Sequence, residues 1–400
     1  MDGANSIALD GGTPVRDTFL IFGAPLVEDD EIQEVVATLK SGWLSTGPRV
    51  KQFERDFKEY VGAEYAVATS SCTAALHLAL IAHGVGPGDE VIVPAMTFAA
   101  TANVVEHVGA TPIFVDSEPE GFNLDCDQLE GCISPKTKAI MPVHFAGLPC
   151  DMTRIDEIAA DRGFVVIEDA AHAAGARYRG ARIGGPGNTT AFSFYVTKNL
   201  STGEGGMLTT SDPAIADRVQ VLGLHGMDLG AWQRYQKPGV RHYDVVYPGF
   251  KYNLTDIAAA MGLHQLRKLD RFIQTRQAYA AFYNEAFKDL PELILPPDDP
   301  QHENAWHLYP VMVRPELLTT DRDGIREALA AENIGAAVHF RPVHTHAFYR
   351  EKYEIPYGSL PRAEFIGDRV FSLPLSPALA QADVESVVAA VRKVITHFRR

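Results

Sequence analysis

A lysine and an aspartate each follow an apolar segment of this 400-residue chain. Lys198 comes after Ala191-Phe-Ser-Phe-Tyr-Val-Thr and before a loop with three glycines, and Asp169 ends the segment Phe164–Asp169. A lysine amine can form an imine with an aldehyde, and a carboxylate can pair with a protonated ring nitrogen. Pyridoxal phosphate carries both of these groups, so the pair predicts a site for this cofactor, whose usual chemistry is amino-group transfer.

Short β-branched segments alternate with helical segments from about residue 66 onward. Such alternation is typical of an α/β fold with a doubly wound, mostly parallel sheet. Ligands of these sheets bind at the carboxyl ends of the strands, where Asp169 and Lys198 are predicted to lie. The predicted strands are Ala66–Thr69, Val91–Val93, Pro112–Asp116, Ala139–Val143 and Phe164–Ile167.

Two further regions complete the predicted organisation. Asp30–Leu39 has the spacing of an amphipathic helix ahead of the sheet. A smaller α+β domain is expected after residue 265, so that 1–265 form a large domain with an N-terminal arm and 266–400 a small C-terminal domain. The predicted elements of the small C-terminal domain are the strands His307–Val313 and Ala337–Phe340 and the helices Asp321–Glu332 and Ala382–Phe398.

The composition excludes several classes of partner. The chain has 51 acidic and 36 basic residues, a net charge of −15, which argues against binding to nucleic acid or to an anionic membrane. No apolar stretch approaches the roughly 20 residues that span a bilayer, and no signal peptide is expected. Cys72, Cys126, Cys132 and Cys150 match neither a zinc motif nor a disulfide framework, so we expect reduced thiols in a cytoplasmic protein.

The cofactor also needs a cradle for its phosphate. Ser71, Cys72 and Thr73 end a predicted strand and open a helix, and their backbone N–H groups lie at the positive end of the helix dipole. The alternative is a simple helix cap by Ser71, which requires no ligand. Ser193, on the strand that leads to Lys198, is a candidate for one further hydroxyl contact to the phosphate.

Each remaining candidate has an ordinary structural alternative. Phe98 follows a strand and is a candidate to stack on the cofactor ring, although an isolated aromatic is more often part of the core. His172 could contact the ring face or its hydroxyl, or be a hydrogen-bonded interior histidine. Asp169 could only cap the next helix, and Lys198 could be a surface lysine. Their joint occurrence favours the cofactor site.

Seven motifs in the same order carry a resemblance to a known family. They are Ser41–Pro48, Ser70–Ala75, Ile167–His172, Ser193–Asn199, Gly203–Gly206, Tyr252–Ile257 and Ser372–Pro377. With these motifs the chain resembles the DegT/DnrJ/EryC1/StrS family of pyridoxal-phosphate aminotransferases. The resemblance implies the aspartate-aminotransferase-like fold (fold type I) and a homodimer whose active sites lie at the subunit interface.

The resemblance also assigns roles to matching residues. It implies that Lys198 forms the imine, that Asp169 pairs with the pyridinium nitrogen and that Asn253 reaches the phosphate of the other subunit. Cys72 stands where the family more often has glycine or alanine, but the contact there comes from the backbone amide. Relatives that dehydrate sugars have histidine in place of the lysine, so Lys198 indicates transamination.

The expected substrates follow from the same resemblance. The chain is most similar to enzymes that aminate a 4-keto sugar, such as the UDP-4-amino-4-deoxy-L-arabinose aminotransferases. The resemblance implies L-glutamate as the amino donor, 2-oxoglutarate as its product and a nucleotide-linked keto sugar as the acceptor. It also implies a role in amino-sugar biosynthesis for lipopolysaccharide or antibiotics. His339 and Arg341 are candidates to meet the sugar or its diphosphate. No metal site is expected, because the histidines at 339, 344 and 346 lack a nearby cysteine pair.

Two other functions remain open from the sequence. An aminotransferase for a cyclitol or an aromatic precursor would share every cofactor residue and differ only in its substrate pocket. A non-catalytic pyridoxal-phosphate-binding regulator would also keep the cofactor site. No DNA-binding domain or basic tail accompanies the chain to favour the regulator.

Overall fold

A seven-stranded mixed sheet lies at the centre of the protein. The computed structural model describes residues 6–228, 243–297 and 299–400. The described strands are β1 (Tyr65–Thr69), β2 (Glu90–Pro94), β3 (Thr111–Val115), β4 (Thr137–Ile140), β5 (Val165–Asp169), β6 (Arg177–Tyr178), β7 (Ala181–Arg182), β8 (Thr189–Ser193), β9 (Gly206–Thr210), β10 (Leu293–Ile294), β11 (His302–Glu303), β12 (Tyr309–Val313) and β13 (Val370–Leu373).

The strand order across the central sheet is β1-β9-β8-β5-β4-β2-β3. β9 runs antiparallel to its neighbours β1 and β8, while the other neighbouring strands are parallel. All five strands predicted for this region are present, although β4 ends three residues earlier than predicted. The predicted α/β class with a mostly parallel mixed sheet is therefore confirmed.

Helices cover the sheet and connect its parallel strands. The described helices are α1 (Asp29–Ser41), α2 (Pro48–Val61), α3 (Cys72–Ala82), α4 (Ala99–His107), α5 (Leu129–Cys132), α6 (Met152–Arg162), α7 (Pro213–Leu222), α8 (Asp256–Phe287), α9 (Arg322–Ala331), α10 (Ala347–Tyr353), α11 (Pro361–Arg369) and α12 (Gln381–Phe398). α3 is apolar on every side and almost wholly buried, as expected for a helix that packs between the sheet and other helices. Among the described helices, none has the length and apolar character needed to cross a membrane.

The first turn of α3 lies directly against the start of β9. A side chain at Gly206 would meet the backbone of Ser71 and Cys72 at 2.4–2.6 Å, so only glycine allows this approach. The Ser71 hydroxyl accepts a hydrogen bond from the Ala74 amide at 3.0 Å and caps the helix. The amino end of α3 is thereby fixed at the edge of the sheet.

The C-terminal part has its own small antiparallel sheet and apolar core. β12 pairs with both β10 and β13, and α9 and α12 contribute buried residues to the same core. The prediction of a strand at Ala337–Phe340 is wrong: only a single bridge joins Ala337 to Ser372, at the edge of β13. The predicted domain boundary near residue 265 falls within α8, and the division into two domains stays a prediction.

α1 is present, but its apolar side faces solvent in the single chain. Ile32, Val36 and Leu39 are 53%, 41% and 52% exposed. Glu31 on the opposite side is fully buried, where Gln265 and Lys268 of α8 donate hydrogen bonds to its carboxylate. The helix is therefore held to α8 by polar contacts rather than by its apolar residues.

A buried arginine on α8 connects this helix to the C-terminal part. The Arg276 guanidinium donates to the carbonyl oxygens of Trp306, His307 and Leu375 at 3.3, 3.2 and 2.6 Å. A hydrogen bond from a charged donor stabilises a buried carbonyl group more than one from a neutral donor. The Arg276 side chain therefore holds the backbone just before β12 in place.

We expect Arg276→Met to destabilise the protein by about 3 kcal/mol, because it leaves three buried carbonyl groups without their donor. The thermal unfolding midpoint measures this effect. Arg271→Met on the same helix is the control: Arg271 is 55% exposed and pairs with Glu28 at 2.7 Å, so its loss should cost under about 1 kcal/mol. Equal midpoints for the two variants would contradict the role of Arg276.

Candidate active site

A cavity of about 470 Å³ opens where the carboxyl ends of β5 and β8 meet the first turn of α3. Nine of the residues singled out from the sequence lie in its wall, together with residues that the sequence did not suggest. The nine are Ser71, Cys72, Thr73, Phe98, Asp169, His172, Ser193, Lys198 and His339. Asn253 and Arg341 do not belong to this wall.

Lys198 lies in the loop after β8, five residues beyond the end of that strand rather than at its end. Its backbone N–H donates to the Tyr195 carbonyl at 2.9 Å in a tight turn, which turns the side chain back into the cavity. Burial lowers the pKa of Lys198 to about 8, although the Asp169 carboxylate opposes this shift. A substantial fraction of the amine is therefore uncharged near neutral pH and can act as a nucleophile or base.

Asp169 ends β5 and is almost fully buried at 5% exposure. Its carboxylate accepts hydrogen bonds from the Thr101 hydroxyl at 2.8 Å and from the Ala171 amide at 3.1 Å. Burial raises the pKa of Asp169, and these two donors and Lys198 act against that shift. A buried carboxylate of this kind is suited to a cationic partner such as a protonated ring nitrogen.

Thr101 was not predicted from the sequence. It lies on α4, and its hydroxyl is also 2.7 Å from that of Thr97. The two threonines extend the hydrogen-bonded chain away from Asp169 into the interior. The sequence does not indicate a contact between Thr101 and Asp169, which are 68 positions apart. Only the packing of α4 against the strand ends brings the two residues together.

The amino end of α3 forms one end of the cavity. The amides of Cys72 and Thr73 are the first two of the helix, so they have no acceptor within it. The Ser193 hydroxyl accepts from the Tyr195 amide at 3.3 Å and faces the same cavity. Ser71 is indeed the helix cap, and the neighbouring amides remain suited to a phosphate.

The Cys72 side chain points away from this end towards β5 and β8. Its sulfur lies 3.5 Å from the Ala191 carbonyl oxygen and 3.8 Å from a carboxylate oxygen of Asp169. Burial raises the pKa of the Cys72 thiol well above its ordinary value, so the group is uncharged. It contributes packing beside Asp169.

Two aromatic groups lie in the wall of the same cavity. Phe98 is 60% exposed, and its ring centroid is 5.7 Å from that of Phe340. The buried His172 accepts a hydrogen bond from the Ala146 amide at Nδ1, 3.2 Å away, so its neutral form carries hydrogen on Nε2. Burial holds the pKa of His172 well below its ordinary value.

His307 also lies in the cavity wall, although the sequence predicted it only as the first residue of a strand. Its Nε2 lies 3.4 Å from the Lys198 amine, and its ring centroid is 4.5 Å from that of His172. The sequence gives no signal for this contact, since 109 residues separate the histidine from the lysine.

The two substrate candidates have different surroundings. His339 lies in the cavity wall, where its Nδ1 is 2.9 Å from the Ser372 hydroxyl and burial lowers its pKa to about 4. Arg341 is exposed outside the wall and donates to the hydroxyl and carbonyl of Thr345 at 3.0 and 2.7 Å. His344 pairs instead with the buried Glu364 at 3.0 Å, so these histidines do not converge.

Asn253 lines a separate cavity. Its amide nitrogen donates to the Thr46 hydroxyl at 2.6 Å, and its backbone forms a bridge with Thr69 at the end of β1. Thr46 and Thr69 line that second cavity as well. Within its own chain, Asn253 therefore contributes nothing to the wall around Lys198.

The residues of the first cavity fit pyridoxal phosphate. Lys198 provides an amine with a lowered pKa, Asp169 provides a buried carboxylate, and the amino end of α3 provides unpaired N–H groups for a phosphate. Phe98 provides an exposed aromatic face between these ends. The cavity volume of about 470 Å³ accommodates a small cofactor and part of a substrate.

Comparisons with known proteins agree with this chemistry. Residues 25–392 match the model of the DegT/DnrJ/EryC1/StrS aminotransferase family. The spore coat polysaccharide biosynthesis protein SpsC of Bacillus subtilis is 49% identical over 383 residues, which cover 95% of this chain and 98% of that protein.

Solved structures share the fold over almost the whole chain. Spr1654 of Streptococcus pneumoniae in its PMP form has a TM-score of 0.89 at 34% identity and covers 94% of this chain and 99% of its own. Its PLP form has a TM-score of 0.87 at 34% identity, with 95% and 99% covered. DesI, solved in the presence of its TDP-sugar product, has a TM-score of 0.87 at 32% identity, with 98% and 96% covered.

The predicted family, fold type and cofactor are thus confirmed by independent comparisons. The matching family model describes aminotransferases, and Lys198 lies in the wall of the cavity that the cofactor fits. The chain belongs to the DegT/DnrJ/EryC1/StrS aminotransferase family and is a pyridoxal-phosphate-dependent aminotransferase.

Proposed function

We propose that this aminotransferase moves the amino group of L-glutamate to the 4-keto position of a nucleotide-linked sugar. The observation that carries the catalytic part is that Lys198 and the buried Asp169 lie together in the wall of one cavity. The TDP-sugar product of DesI and the polysaccharide pathway of SpsC support a nucleotide-linked sugar as the acceptor.

Bound pyridoxal phosphate supplies a ring that accepts electrons and stabilises negative charge on the carbon next to the amino group. Lys198 would hold the cofactor covalently at rest and, once released, would move a proton from that carbon to the cofactor. A general base works best when its pKa is near the operating pH, and burial lowers the pKa of Lys198 to about 8.

Asp169 keeps a proton on the ring nitrogen in this proposal. Its carboxylate needs a charged form for that purpose, and the donors Thr101 and Ala171 favour this form against the burial that raises its pKa. The amides of Cys72 and Thr73 and the Ser193 hydroxyl bind the phosphate. Phe98 and His172 would contact the ring and limit the access of water to it.

His339 is the proposed substrate contact within the chain. Its ring lies in the cavity wall and is uncharged near neutral pH, so it offers a neutral polar group to a sugar hydroxyl. Arg341 lies outside the wall and is tied to Thr345. A diphosphate contact by Arg341 would therefore require a substrate that extends beyond the cavity.

We propose that two copies share their active sites as a homodimer. Asn253 does not line the cavity of its own chain, which supports a contact with the phosphate in the other subunit. The exposed apolar side of α1, formed by Ile32, Val36 and Leu39, offers a surface that a second copy could cover.

Lys198→Ala is expected to slow the reaction with L-glutamate by about 10²–10⁴-fold, because the cavity loses its proton-transferring amine. The rate of conversion of the bound cofactor to its pyridoxamine form, followed by absorbance, measures this step. Lys288→Ala, at a side chain 63% exposed, is the control and should react like the unaltered protein. A full rate in the Lys198 variant would refute its catalytic role.

Mixing two inactive variants tests the shared site. Lys198→Ala and Asn253→Asp homodimers, the latter with a carboxylate against the phosphate, should each have low activity at limiting cofactor. Random exchange of subunits gives mixed dimers with one intact site, and about a quarter of the full activity should return. No recovery after demonstrated exchange of subunits would contradict a shared site.

The acceptor is tested with a panel of sugars. UDP-, GDP- and dTDP-linked sugars with 3-keto or 4-keto groups are incubated with L-glutamate, and the amino sugars formed are measured by mass spectrometry. We expect amination of a 4-keto member and release of 2-oxoglutarate. Amination of a keto-cyclitol, with no nucleotide sugar accepted, would instead support the alternative substrate class.

A further inference from the structure

We propose that His307 is a positioning residue for Lys198, and that its Nε2–H donates a hydrogen bond to the uncharged amine. The imidazole would thereby favour the form of the lysine that can react. The proposal gives this role to a histidine that lies 109 residues from the lysine in the sequence and 3.4 Å from it in the structure.

The histidine is held rigidly at this place. Its backbone N–H donates to the Ala146 carbonyl at 2.8 Å, and its backbone carbonyl accepts from Arg276 at 3.2 Å. Its ring packs against that of His172 with centroids 4.5 Å apart. The side chain is 5% exposed, so the ring has little freedom to turn away from Lys198.

The position of the hydrogen follows from the second ring nitrogen. Nδ1 of His307 is buried and has no hydrogen-bond partner among residues 6–228, 243–297 and 299–400. A buried N–H without an acceptor is rarer in proteins than a buried lone pair without a donor. Nδ1 therefore carries the lone pair, and the hydrogen of the neutral ring is on Nε2, which faces the Lys198 amine.

A doubly protonated ring is disfavoured at this place. Burial holds the pKa of His307 well below its ordinary value, and Lys198, His172, Arg276 and His339 act in the same direction. With hydrogen on Nε2, the ring meets an uncharged amine favourably, because the nitrogen of the amine offers a lone pair. Its contact with an ammonium group is unfavourable, because both groups are then hydrogen-bond donors.

Other groups near Lys198 also affect the equilibrium between its charged and uncharged forms. Burial lowers the pKa of the lysine, whereas the Asp169 carboxylate at the end of β5 raises it. His172 and His339 are uncharged neighbours whose own pKa values are lowered. A hydrogen bond from His307 adds to the effect of burial and offsets the attraction of the ammonium form to the Asp169 carboxylate.

The proposal is tested by the pKa of Lys198 in the full chain freed of cofactor. Trace labelling with acetic anhydride over a range of pH, followed by peptide mass spectrometry, reports the fraction of free amine at each lysine. The unaltered protein should show a midpoint near pH 8 for Lys198. His307→Phe should raise this midpoint by about one pH unit, the effect of one lost hydrogen bond.

Two amide variants locate the donor. In glutamine the side-chain nitrogen can take the place of Nε2, and in asparagine it can take that of Nδ1. We expect His307→Gln to keep the midpoint within a few tenths of the unaltered value and His307→Asn to raise it as the phenylalanine variant does. The exposed Lys288, at 63%, is the internal reference in every sample and should not change.

The comparison of the two amides decides the result, since both variants are polar and similar in size. Cooperative thermal unfolding of each variant shows that its Lys198 is measured in the folded protein. A midpoint that falls or stays unchanged in the phenylalanine and asparagine variants would overturn the proposal. A normal midpoint in the asparagine variant with a raised one in the glutamine variant would also overturn it.

This inference rests on the proposed catalytic role of Lys198 for its meaning in the reaction. The labelling experiment measures protonation without turnover, so it can fail while Lys198→Ala still abolishes the reaction. Conversely, an active Lys198→Ala variant would remove the catalytic role and leave the measured hydrogen bond as a structural contact.

Discussion

The removal of water from one amine and one carboxylate is the constraint on which the site depends. An isolated charge in a protein interior is costly, so Lys198 is shifted towards its neutral form, and the charged form of Asp169 is stabilised by donated hydrogen bonds and by Lys198. These shifts make the amine reactive and leave the carboxylate suited to a cationic ring. The same groups exposed to water would have neither property.

Close contacts between backbone segments keep these two groups away from water. β9 runs antiparallel beside β8 and begins at Gly206, where the absence of a side chain lets the first turn of α3 lie against the strand. The end of the cavity at the first turn of α3 and the loop that carries Lys198 are therefore built on the same part of the sheet. The C-terminal part closes the other side with His307 and His339.

Long-range polar contacts connect the regions around the cavity. Arg276 on α8 donates to the backbone carbonyl groups of Trp306 and of His307 itself. Glu31 on α1 receives hydrogen bonds from the same helix, so that apolar residues of α1 remain exposed. An amphipathic pattern alone would have placed those residues against the core of the chain, and their exposure instead suits contact with a second copy.

The sequence by itself determined the cofactor and the class of fold, and it indicated Lys198 and Asp169 as the candidate reacting groups. Lys198 and Asp169 follow short apolar segments, and local order along the chain is enough to place such residues near strand ends. Local patterns also predicted the helix start at Ser71, because its hydroxyl accepts from the amide three residues on, and most strands, because β-branched composition favours an extended chain. They failed at Ala337–Phe340, where a strand-like composition forms only a single bridge.

Only the tertiary structure decided which distant residues join those groups. Thr101 reaches Asp169, and His307 reaches Lys198, through the packing of separate helices and strands. Arg341, close in sequence to His339, turns away from the cavity because Thr345 offers it nearer acceptors. Contacts of this kind depend on how elements pack rather than on local spacing, so sequence periodicity carries no record of them.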